Sequence, residues 1–285
     1  MRLNSIVNRF VSKLSIPHPV PPSPRHRVNP RTKFKYLITG KWRLIAIAVC
    51  LFLILLGKGQ ATPLPPLQTH PLPPQLAQWE DPSNSGDYFD RVQPTSVGYL
   101  VWSEFPIKVY IERPTDSHLQ SDRRFQAWVN AVQTAVEEWN VYLPLTLVEQ
   151  PEQADILWER VRPPLRATLN RETRQFEIPT ARNAEANYKV YRRPGTPPHL
   201  AHRFTIQLSP SQTDEDTLAT ARHELGHALG IWGHSPLKTD ALYPTQVRYP
   251  PPISPRDINT LKKIYQQPTR LGWSIETASK ESPHL

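Results

Sequence analysis

The segment His223-Glu224-Leu225-Gly226-His227-Ala228-Leu229-Gly230-Ile231-Trp232-Gly233-His234 constrains this chain more than any other stretch. Two histidines four positions apart share a face only on an α-helix, where one turn takes about 3.6 residues. Leu218, Ala221, Leu225 and Leu229 cluster roughly 160–240° round the helix from His223, at about 100° per residue. The helix should bury that apolar face and turn the histidines to a cleft. Gly230 can adopt a positive φ, so it can end the helix and let the chain fold back. His234 is then placed to return to the imidazole pair.

Two imidazoles alone hold a divalent ion weakly. Three neutral nitrogen donors with an open fourth position suit a catalytic Zn²⁺. His223, His227 and His234 are the candidate ligands, and Asp240 or a remote residue is the alternative third donor. Glu224 lies about 100° from His223, which does not suit it as a ligand of the same ion but lets it reach a water at the fourth position. Zinc lowers the pKa of such a water to about 7. A neighbouring carboxylate can then act as general base, and later as general acid toward a leaving amine. This chemistry cleaves amides, hence peptide bonds.

The flanking patterns set the architecture. Thr213 is an N-cap for a helix over 214–229, and Asp214, Glu215 and Asp216 suit its positive end. Apolar spacing predicts an amphipathic helix over 122–140. Alternation predicts strands over 107–111, 145–149, 155–159 and 204–208, with a short edge strand at 188–191. His199 and His202 precede the fourth of these and are expected to face solvent. Residues 244–252 read as a loop. Ser254, Pro255 and Asp257 open a last helix with a near capping box. Strands and helices in this order describe a single α+β domain.

Charge narrows the partners. The chain carries 34 Lys+Arg against 25 Asp+Glu, but its first 60 residues hold 11 of the basic residues and no acid. The remainder is close to neutral and lacks a footprint for nucleic acid. Residues 44–56 form an unbroken apolar run of 13, about 20 Å as a helix against a hydrocarbon core of roughly 30 Å. With the basic region 1–43 before it and Gly59-Gln60-Ala61 after it, 44–61 reads as a signal peptide or an uncleaved signal-anchor. Either places the rest outside the cytoplasm, touching a membrane only through this segment. Residues 62–78 read as a Pro-rich, polyproline-II-like linker with little capacity to form a core. The single Cys, Cys50, lies in the apolar run, which excludes an intramolecular disulfide framework.

His223, Glu224, His227 and Gly230 match a pattern that resembles the metzincin zinc metalloproteases, closest to the matrixin-like group. The family pattern is H-E-x-x-H-x-x-G-x-x-H followed by a methionine turn. His234 stands one residue later than that pattern, because Gly233 occupies the usual slot. Ala241-Leu242-Tyr243-Pro244 resembles the turn with one residue missing and Leu242 at the Met position; no Met follows Met1. Tyr243 reads as a core or cleft-wall residue.

The resemblance implies a zinc metalloprotease domain over 79–270 and a tail over 271–285. It also implies a twisted, mostly parallel sheet with an antiparallel edge strand above the cleft, an active-site helix and a C-terminal helix. Its implied activity is an exported endopeptidase with one catalytic Zn²⁺, using Glu224 on protein or peptide substrates, with residues 245–252 walling the pocket for the residue after the cut. Family members often carry structural Ca²⁺, although Asp214-Glu215-Asp216 reads as helix-start charge. The alternatives are a catalytically weak zinc-containing envelope binding module, or another H-E-x-x-H hydrolase with a different third ligand.

Overall fold

The structure, a computed structural model, describes residues 63–114, 122–165, 167–177 and 182–275. These all belong to the unit Ala61–Leu285. The basic region and the apolar run, residues 1–61, lie outside the described residues, as does the end of the tail. Among the described residues no helix is long and apolar enough to cross a membrane.

A five-stranded mixed sheet organises this α+β unit. Its strands are β1 (Ile107–Ile111), β2 (Leu145–Leu147), β3 (Ile156–Glu159), β6 (Ala184–Arg193) and β7 (His199–Leu208), in the order β2-β1-β3-β7-β6. The first four in that order run parallel, and β6 lies antiparallel on β7 at the edge. A separate two-stranded hairpin joins β4 (Thr168–Leu169) to β5 (Phe176–Glu177). Parallel neighbours need a crossover. The first is α2 (Arg123–Asn140), which connects β1 to β2. The Asp122 side chain caps it by accepting from the Arg124 amide, and Phe125, Trp128, Val132, Val136 and Trp139 form its buried face. Ile107, Val109 and Ile111 alternate with more exposed neighbours on β1 and bury one face of the sheet.

Two further helices complete the frame. The first, α3 (Asp214–Ala228), carries the histidine pair, and α4 (Pro255–Tyr265) closes the domain. Thr213 caps α3, and its hydroxyl also donates to Asp216, so the acidic run is engaged at the helix start. At α4 the capping box is complete, because Asp257 at N3 accepts from the Ser254 amide. Trp139 at the end of α2 donates its indole N–H to the Arg222 carbonyl at 2.9 Å, locking α2 to α3.

Three expectations need correction. The Pro-rich segment does contribute to the core. It contains a short helix, α1 (Pro74–Gln78), whose Leu76 is fully buried, and Gln68 bridges to Thr269. Lys262 of α4 donates to the Ala77 carbonyl at 3.4 Å, and Gln68 and His70 bond to Thr269 and Leu271 just after α4, so the end of the chain supplies the partners that proline-rich sequence lacks by itself. The weakly patterned end of the chain is likewise built in, with Leu271 and Ile275 buried.

The third correction concerns His202, which does not face solvent. It is 2% exposed and stacks on Trp102 at 3.9 Å, on the face of β7 that also buries Phe204 and Ile206. His199 is half-buried, with Nε2 3.0 Å from Glu104.

Burial, with a smaller contribution from Arg193, lowers the His202 pKa from 6.5 to about 3. The unfolded chain therefore takes up this proton near pH 6.5 and the folded one does not. His202 costs nothing above that pH and destabilises the fold as pH falls toward 3. His202→Phe is expected to reduce the stability lost between pH 7 and 5 by about 2 kcal/mol. Denaturant melts of both proteins at the two pH values measure this; equal losses would contradict it.

Candidate metal centre

Local backbone geometry places the first two histidines. On α3 the rings of His223 and His227 face the same side, with centroids 4.7 Å apart. Each ring is held from behind by a carbonyl. His223 Nδ1 donates to Ala241 O at 2.8 Å, and His227 Nδ1 donates to Ile231 O at 2.7 Å. A carbonyl can only accept, so both rings carry their proton on Nδ1. Their unprotonated Nε2 atoms face one another at 3.0 Å. Two lone pairs at that distance repel unless a cation lies between them. Two nitrogens bound tetrahedrally to one zinc at 2.0–2.1 Å would lie about 3.3 Å apart.

His234 joins the pair. The nitrogen donors of His223, His227 and His234 all lie within 4.8 Å of one another, and among the described residues this is the group of His, Cys, Asp and Glu suited to hold a metal ion. The donor set is compatible with zinc. Burial keeps all three rings neutral, which is the ligating form. It lowers His223 to about 4, His227 well below its usual value, and His234 in the same direction.

The return of His234 depends on two glycines. Gly230 has φ +130°, and a Cβ there would lie 2.6 Å from the Leu100 carbonyl oxygen. Gly233 admits a different neighbour. A Cβ on it would meet the Arg91 carbonyl oxygen at 2.3 Å and Val92 Cα at 2.9 Å, both backbone atoms. The chain before His234 thus lies against a turn at Phe89–Arg91, where Gln93 also donates to the Trp232 carbonyl. Gly233→Ala should cost about 1–3 kcal/mol and weaken metal binding by displacing His234. Denaturation and zinc titration check this; wild-type values in both would show that the close approach is dispensable.

Leu242 is fully buried. A Cβ on Gly226 would meet its Cδ2 at 2.7 Å and Trp139 at 3.0 Å, so the glycine lets Leu242 and Trp139 press against α3 next to His227. Trp232 stands edge-on to His227 at 5.9 Å and to Tyr188 of β6 at 5.2 Å. Behind the turn, Asp257 accepts from the Ala241 amide at 2.9 Å and from the Tyr88 hydroxyl at 2.5 Å. The start of α4 therefore fixes the residue whose carbonyl orients His223. Asp240 accepts from Ser235 and, at 3.0 Å, from Arg256, and takes no part in the histidine cluster.

Glu224 points to the same cleft, a space of about 1190 Å³ lined from one side by β6 and from the other by residues of the 243–251 stretch. It is 9% exposed, and burial pushes its pKa up to about 7 against a backbone hydrogen bond from Ala186. Tyr243 is half-buried and lines this cleft. Arg222 went unnoticed in the sequence. Its side chain is 8% exposed, forks onto Glu138 of α2 at 2.6 and 2.8 Å, and donates to the Pro251 carbonyl. A charge beside the motif was the available signal, but its partners lie 84 and 29 positions away. No family model matches this sequence, and no curated protein matches it significantly.

Proposed function

We propose that the protein is a zinc-dependent endopeptidase of the matrixin-like metzincin type, acting outside the cytoplasm on protein or peptide substrates. The observation that carries this reading is the convergence of two Nδ1-anchored imidazoles and His234 on one point, with a buried carboxylate opening on the same cleft. His223, His227 and His234 would hold the ion. Bound there, Zn²⁺ would supply a Lewis acid for a substrate carbonyl and acidify a water in the cleft.

The remaining work belongs to the chain. Glu224 takes the proton of the attacking water on its carboxylate and returns it to the departing amine. Burial raises its pKa, which strengthens it as a proton acceptor. Trp232 packs edge-on against His227, and the carbonyls of Ala241 and Ile231 hold the tautomers of the two helical histidines. Export rests on the apolar run at 44–56 and the basic residues before it.

Purified full-length chain is expected to contain about one zinc per molecule and to cleave casein. Treatment with 1,10-phenanthroline should abolish cleavage, and added zinc should restore it. Stoichiometric zinc without cleavage of casein or a peptide library would favour a zinc-containing binding module instead.

A further inference from the structure

The stretch from Pro244 to Ile253 forms a wall of the cleft without regular secondary structure of its own. Among the described residues it makes one hydrogen bond to the rest of the chain, from Arg222 Nη1 to Pro251 O at 2.9 Å. The other two guanidinium contacts go to Glu138, so the group that holds the wall is itself held from α2. A buried guanidinium needs this paired carboxylate, and the planar fork fixes the direction of its third donor. Arg222 directly precedes His223, yet its side chain serves the wall and not the histidine cluster.

We propose that Arg222, braced by Glu138, is a positioning residue that tethers Pro251 and thereby sets which substrate side chain fits the pocket beside the scissile bond. The specificity half of this proposal rests on the peptidase reading; the tether does not. Pro250 and Pro251 stiffen the end of the wall, so one anchored carbonyl governs where the stretch before them lies. With the anchor gone, the wall samples wider positions. Substrate ordering then suffers more than the chemical step, because Glu224 and the histidines keep their own supports.

Arg222→Met, which retains bulk but donates no hydrogen bond, tests this in the full chain purified in detergent. Trypsin cleavage after the exposed Arg248 should accelerate at least about tenfold, with hydrogen exchange of α2 and α3 unchanged. For the best library peptide, KM should rise about tenfold while kcat changes less than about threefold, and the range of accepted residues should widen. Bound zinc should stay the same. Arg222→Lys keeps the charge without the fork and should recover part of the protection. If Arg222→Met does not fold, Glu138→Gln supplies the same comparison in milder form.

Unchanged cleavage after Arg248 would overturn the tether. A fall in kcat at constant KM, or an unaltered cleavage profile, would overturn the specificity role. A wild type that cleaves nothing would overturn the peptidase reading by itself, and the trypsin measurement would still decide the tether.

Discussion

His227→Ala is expected to lose zinc and peptide cleavage together. His227 is the most enclosed of the three rings, 9% exposed, anchored through Nδ1 and flanked by Trp232. Its Nε2 lies 3.0 Å from that of His223, so its removal leaves one anchored donor and the exposed His234. Losing a mere supporting partner of a metal ligand typically costs 10–100-fold in affinity, and losing a ligand should exceed about 100-fold. Thermal melting supplies a readout independent of activity. Zinc should raise the wild-type Tm and leave that of the variant unmoved, since only a binding native state is stabilised. Equal zinc-induced shifts would contradict the assignment. His234→Ala should fall between the two; full zinc retention there would point to a different third donor.

Glu224→Gln separates chemistry from metal binding. The amide is nearly isosteric but can take no proton, so kcat should drop about 10²–10⁴-fold while zinc content stays at the wild-type level. Folding should not suffer. The carboxylate is buried and disfavoured in its charged form, and a neutral amide removes that burden. Steady-state kinetics with metal analysis on the same preparation checks both halves. Wild-type turnover in Glu224→Gln would sink the general-base role, and loss of zinc would make the residue a ligand.

Much of the frame was legible because its signals are local. The caps at Thr213 and Ser254, the apolar stripe of α2 and the four-residue histidine spacing each follow from backbone geometry within one or two turns. The edge strand was only half visible. Alternation predicts a strand only over Tyr188–Tyr191, whereas β6 runs from Ala184 to Arg193, because its pairing comes from β7 and much of it is exposed. His202 shows a signal passed over. It shares the period-two face of Leu200, Phe204 and Ile206, and alternation alone put it indoors. The Pro-rich segment differs in the opposite sense, since its composition describes a solvated chain while α4 and the residues after it provide its contacts.

By itself the sequence determined that a helix would present His223, Glu224 and His227 in fixed angular relation and would stop at Gly230. That information is contained in 3.6 residues per turn and in the freedom of one glycine. Only the tertiary structure decided that His234 closes on the pair, that Ala241 orients His223, and that Arg222 reaches Glu138 and Pro251. Those contacts join residues up to 84 positions apart, and they form where packed layers meet, which no local spacing can encode.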